Sequence, residues 1–232
     1  MDFTKSFSYI TEDREWLAKL GILAAISLAA PFLLGIPYLL VLGYSVAIAR
    51  NVKKGVEHPL PAWDDWGTLF RDGFNLFVAR LVYTLPFLLL LCGFGILPWL
   101  GVIGRGGDVS DEIMAGAFFA TFGLTGCLSL LFFAAYIFIA PAVVVQYVRH
   151  GTLSACLNFG AIFGFIRAQM GNILLITALV IGVGFVFGTV MAVLSIIPVL
   201  GTLIAMLLNL FFSAAVTAVV SHLYGQLAIL EG

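Results

Sequence analysis

Charge is what this chain has least of. Only 10% of its 232 residues are Asp, Glu, Lys or Arg, whereas a soluble domain carries roughly 25%. With 62% hydrophobic residues and a mean hydropathy of +1.13, a water-facing fold would lack the polar side chains to cover its surface, which excludes a soluble globular protein. The formal net charge of −1 provides no basic face to neutralise phosphates, so nucleic acid is not an expected partner. Cysteine is scarce as well: Cys92, Cys127 and Cys156 are an odd number and form no CxxC. That excludes a disulfide framework and a zinc site, and leaves three small buried hydrophobes. Motifs with a clear catalytic reading are missing too, with no HExxH, GxSxG, Walker-type phosphate loop or GxGxxG. His58, His150 and His222 are scattered, and the pairs Glu12/Asp13, Asp64/Asp65 and Asp111/Glu112 read as helix caps or solvated groups. No enzymatic activity, cofactor or metal is therefore expected.

What the chain does have is long apolar runs, and about 20 helical residues cross a hydrocarbon core. Trp16 to Ala49 is too long for one span and is broken at Pro31, Gly35 and Pro37, so it reads as two short helices with a tight turn. A third span covers Phe77 to Leu97 and ends at Pro98-Trp99-Leu100-Gly101; the fourth is Ala115 to Tyr147; the fifth and sixth are Ile173–Leu194 and Thr202–Tyr224. Asp2, Glu12, Asp13 and Glu15 ahead of the first run argue against a cleaved secretory signal and for an uncleaved span. With six spans, ten of the eleven Lys and Arg residues share one side, and only Arg105 lies opposite, in the acidic 104–112 loop. Cytoplasmic loops hold the excess of Lys and Arg, so the protein is expected in the cell membrane with both termini in the cytoplasm.

The segments ahead of the hairpins are amphipathic. Phe3, Phe7 and Ile10 are spaced i, i+4, i+7, as are Phe159, Phe163 and Ile166, and Trp66, Phe70 and Phe74 form a looser copy beside Trp63. Such helices lie in the membrane interface, anchored by their aromatic residues. The outer turns Pro98–Gly101 and Pro198–Gly201 match, and Tyr44, Tyr147 and Tyr224 recur at the inner ends of the even-numbered spans. The expected fold is an all-α integral membrane protein: six transmembrane helices as three hairpins, each preceded by an interfacial amphipathic helix. This makes one membrane domain, 1–232, with repeat units of about 1–55, 56–148 and 149–232.

Several short motifs carry a resemblance. Asp2-Phe3…Phe7-Ser8-Tyr9, Gly43-Tyr44 before the basic Arg50–Lys54 stretch, Asp64-Asp65-Trp66-Gly67 followed by Phe70 and Gly73, and His222-Leu223-Tyr224-Gly225-Gln226 occur in that order along nearly the whole chain. In this the chain resembles a family of uncharacterised prokaryotic integral membrane proteins, domain of unknown function 4013. The resemblance implies a membrane protein and supplies no activity.

Within the spans no charged residue is expected at mid-membrane depth, where such residues mark ion pathways. Asn209 is the most polar side chain there, and His222 lies near the inner end of the last span; both are candidate contacts between helices. Gly184 and Gly188 form a GxxxG that suits close packing. The expected function is a non-catalytic scaffold or accessory module at the cytoplasmic leaflet. Its expected partners are anionic lipid and a membrane protein or a second copy of the chain. The alternative is a small-solute transporter or channel, in line with repeated hairpins broken by Pro and Gly.

Overall fold

Local chemistry sets where the helices start and stop. In the computed structural model, which describes residues 1–104, 110–197 and 199–230, α1 (Phe3–Glu12) is capped by the Asp2 carboxylate, which accepts from the Lys5 N–H at 2.9 Å. Asp13 ends it in an extended conformation and turns the chain by accepting from the Glu15 N–H at 2.8 Å. After α2 (Trp16–Ala29), Pro31 tightens the chain into a 3-10 turn (Ala30–Leu33). Leu34 (φ 54) and Gly35 (φ 78) then reverse it into α3 (Tyr38–Lys53). Asp65 caps α4 (Trp66–Ile103) through the Thr68 N–H at 3.0 Å. α5 (Asp111–His150) carries Pro141 inside it. A short α6 (Leu153–Cys156) leads to α7 (Phe159–Leu194), capped by Asn158, and a turn leads to α8 (Leu200–Leu230).

No strand occurs among the described residues, and five helical segments are long and apolar enough to cross a membrane: Trp16–Leu33 (α2 with its 3-10 turn), α4, α5, α7 and α8. The exception among the six expected spans is α3, whose 16 residues reach about 24 Å at 1.5 Å per residue. Two expected boundaries are corrected. Pro98–Gly101 does not end the third span, because α4 continues to Ile103. The segments around Trp66–Phe74 and Phe159–Ile166 are not separate helices but the first turns of α4 and α7. No residue after them plays the part that Asp13 plays after α1. The polar loop around Arg105 and Asp108, and Pro198 of the last turn, lie outside the described residues.

The chain divides into two compact units, 1–79 with 141–232, and 80–140. In the first, α3 and α8 are the buried centre, and Tyr9, Leu20, Leu23, Tyr44, Ile48, Tyr147, Leu223 and Leu227 are fully buried. Two glycine crossings let backbones touch. A Cβ on Gly43 would sit 1.8 Å from the Leu69 carbonyl oxygen, and one on Gly73 1.7 Å from that of Leu39, so α3 and α4 cross in direct backbone contact. Gly225 of α8 likewise sits against Ala49 and Val52 of α3. A Cβ added at either glycine of the expected GxxxG, Gly184 or Gly188, would meet nothing within 4 Å beyond its own helix.

The second unit is two helical segments paired through stacked Phe87 and Phe132, with centroids 4.0 Å apart. It turns Leu89, Leu97, Phe119, Leu130 and Leu131 outward. That arrangement suits hydrocarbon rather than water.

Candidate functional site

Polar side chains of the first unit gather into three ties, and the tyrosines singled out in the sequence take part in two of them. The first tie joins the two ends of the chain. α1 runs antiparallel along the last turns of α8: the Asp2 N–H donates to Gln226 Oε1 at 2.7 Å, Ser6 Oγ meets His222 Nδ1 at 2.9 Å, and the Tyr9 hydroxyl donates to the Ala218 carbonyl at 3.0 Å. Gln226 Nε2 donates to the Asp2 carbonyl at 2.9 Å, and the Tyr9 ring stacks on His222. His222, a candidate contact in the sequence, is thus buried and bonded between helices.

The second tie holds α3, α4 and α5. Asp72 is buried on α4; it accepts from Arg50 Nη1 at 2.7 Å and from the Tyr147 hydroxyl at 2.9 Å, and Asn75 Nδ2 donates to that same hydroxyl at 3.0 Å. The third closes the base of the α2–α3 hairpin. Lys19 Nζ donates to Asp13 at 2.7 Å and to the Leu60 carbonyl at 3.1 Å; Trp63 Nε1 donates to the Lys19 carbonyl; Tyr44 stacks on Trp63 and donates to the Pro61 carbonyl. Burial works to raise the Asp13 carboxyl, but the Lys19 ammonium and the Glu15 N–H outweigh it and hold the group below its ordinary value. Arg149 adds a cap, donating to the Leu227 and Ala228 carbonyls at the end of α8.

The expected anchors divide. Phe7, Trp66, Phe70, Phe74, Phe159 and Phe163 are exposed, while Phe3 is half-buried and Ile10 and Ile166 are buried. Trp63 is a packed residue of the third tie rather than a free ring. Asn209 differs from the expectation. It is exposed on α8, and its amide makes no side-chain hydrogen bond among the described residues. Cys156 is buried, which pushes its thiol up to about 12, but Cys92 and Cys127 are exposed and are not core residues.

Sequence reasoning missed the Arg50–Asp72–Tyr147–Asn75 tie. The recurring inner tyrosines were its only local signal.

Two hollows flank the first tie. A polar cleft of about 420 Å³, lined by Lys5, Glu12, Glu57, His222 and Gln226 among others, opens on one side. An apolar groove of about 240 Å³, walled by Phe7, Ile10, Leu179, Val183, Phe212 and Val216, lies on the other. Among the described residues no group of three or more His, Cys, Asp or Glu is placed to hold a metal ion. The ionisable groups of the three ties hold helices to one another.

No curated protein matches the chain, and no solved structure does. One family model matches, described as a protein of unknown function, DUF4013, over residues 23–196. Gly43, the Asp64–Gly67 segment and Gly73 fall inside that range, whereas the opening Asp2–Tyr9 and closing His222–Gln226 motifs fall outside it. The match covers well over half of the chain, which belongs to this family of proteins of unknown function.

Proposed function

We propose that the protein is a non-catalytic, multi-pass membrane module that presents one polar, aromatic-rimmed end to the cytoplasmic leaflet. One observation carries this reading. The buried ionisable groups of the first unit are paired in ties between helices, while Lys5, Arg14, Lys53, Lys54, Arg71 and Arg167 stand exposed at the same end near Phe7, Phe70, Phe74 and Phe163. Cations beside exposed rings suit the headgroup region of anionic lipid. The Asp2–Gln226 bond supports an even number of crossings, since it holds both ends of the chain on one face. With the Lys and Arg bias, that face is the cytoplasmic one. The element order, with α2–α3, α4–α5 and α7–α8 as successive pairs, supports the repeat of hairpins, and separate helices precede the first pair (α1) and, as the short α6, the third.

Asn209 bears on partners. An unsatisfied amide in hydrocarbon costs several kcal/mol, and a second copy meeting α8 there would offer both donor and acceptor. The same amide is what favours the alternative reading, a narrow path for a small solute. Flux from sealed proteoliposomes separates the two. The module predicts release of small neutral and charged solutes no faster than from protein-free vesicles. Saturable flux of one solute, lost in Asn209→Leu, would replace the module with a transporter.

A further inference from the structure

We infer that the first hairpin does not cross the membrane: α2, its 3-10 turn and α3 enter from the cytoplasmic face, turn inside the hydrocarbon and leave by the same face. The surface at its tip is covered by lipid acyl chains. The inference goes beyond the module reading: the return of the hairpin to its own face rests only on the chain being a membrane protein, and the naming of that face as cytoplasmic rests on the proposed orientation.

The depth of the hairpin is fixed at its base. Lys19 on one arm and Tyr44 on the other are held at one level by Trp63, which donates to the Lys19 carbonyl and stacks on Tyr44, and the polar 54–65 segment lies across them. From that base the α2 arm offers Leu20–Ala29 and the 3-10 turn, at most about 23 Å. The α3 arm offers only Tyr38–Gly43, about 9 Å. Neither reaches the roughly 30 Å of a hydrocarbon core.

The neighbouring helix gives an independent measure. Gly225 of α8 packs against Ala49 and Val52 near the end of α3. Within the described part of α8, which reaches Leu230, α3 can lie along α8 from that crossing only by running in the same direction. From Gly225 back to Leu200, α8 extends about 37 Å, while α3 extends 17–21 Å from the same crossing to Tyr38, counting about 1.5 Å per residue. α8 therefore outruns α3 by roughly 16–20 Å.

The tip itself has a single side chain with which to meet water. Between Leu28 and Gly43 the only side chain able to hydrogen-bond is Tyr38, and Phe32 and Leu34 are 80% and 93% exposed. Rings and aliphatic chains so exposed at that depth are solvated by acyl chains.

The test places a nitroxide on a single cysteine at Ile36, with Cys92, Cys127 and Cys156 replaced by Ala, in the full-length protein reconstituted into vesicles. Labels at Ser110, in the polar 104–112 segment, and at Val199, in the turn of a hairpin long enough to cross, serve as references. Collision with dissolved oxygen and with a water-soluble nickel chelate is then measured. The label at Ile36 is expected to collide readily with oxygen and scarcely with the chelate, and to lie deeper than the label at Val199. Chelate collisions as frequent as at Ser110 would mean that the tip emerges into water, and would overturn the inference. Protection from both reagents would mean that protein covers the tip, and would overturn the lipid-facing surface. Leu34, labelled in the same way, provides a second position if the Ile36 protein loses its helical circular dichroism.

Discussion

Asp72→Ala is expected to lower the unfolding free energy by about 3 kcal/mol, because removing one partner of a buried ion pair leaves the other uncompensated. The carboxylate is buried and holds two helices to its own, accepting from Arg50 of α3 and the Tyr147 hydroxyl of α5. Its loss leaves the Arg50 guanidinium, itself only 26% exposed, without its anion and one hydroxyl proton without an acceptor. Asp72→Asn keeps an acceptor for Tyr147 and gives up only the charge, so a loss of roughly 1–2 kcal/mol is expected. Denaturant-driven unfolding in detergent micelles measures both. If Asp72→Ala unfolded at the midpoint of the parent protein, the tie would have no part in holding the three helices together.

The second large effect is at the helix crossing. Gly43→Ala and Gly73→Ala each place a methyl group inside the van der Waals radius of a backbone carbonyl oxygen, Leu69 in one case and Leu39 in the other. Backbone cannot swing aside as a side chain can, so α3 and α4 must separate. A loss of roughly 3 kcal/mol or more is expected, at the upper end of overpacking effects. Gly184→Ala and Gly188→Ala supply the contrast. With nothing within 4 Å of either position, the substitution should be neutral or should stabilise by up to about 1 kcal/mol, through helix propensity alone. Equal losses at all four sites would show that the glycines act through something other than the α3–α4 crossing.

These two cases also mark where the sequence could be read and where it could not. Apolar run length, Pro31, Gly35 and Pro37 identified the α2–α3 turn, and Asp65 was legible as a cap, because each depends on neighbours within a few residues. The GxxxG at Gly184 shows the limit of such reasoning. Its spacing says that a helix could approach, not that one does, whereas Gly43 and Gly73 meet across a sequence gap that no periodicity reports. Asp72 and Tyr147 are likewise far apart in sequence and adjacent in space. Pro98 reads as a stop, but a proline removes only one donor, and α4 continues through it to Ile103. His222 found a partner because α1 folds back along α8, bringing Ser6 to it across 216 residues. Asn209 faces outward instead, where this single chain offers its amide no partner among the described residues.

The central claim is that the polar end built from α1, the 54–65 segment and the ends of α3, α5 and α8 faces the cytoplasm. Labelling of single cysteines in intact cells with a membrane-impermeant maleimide tests it most directly. Cysteine at Ser110, beside the acidic 104–112 segment, should be labelled from outside. Cysteine at Glu57, between Lys53 and the base of the first hairpin, should be labelled only after the cells are lysed. Labelling of Glu57→Cys in intact cells, with Ser110→Cys protected, would contradict the account by turning the polar end outward.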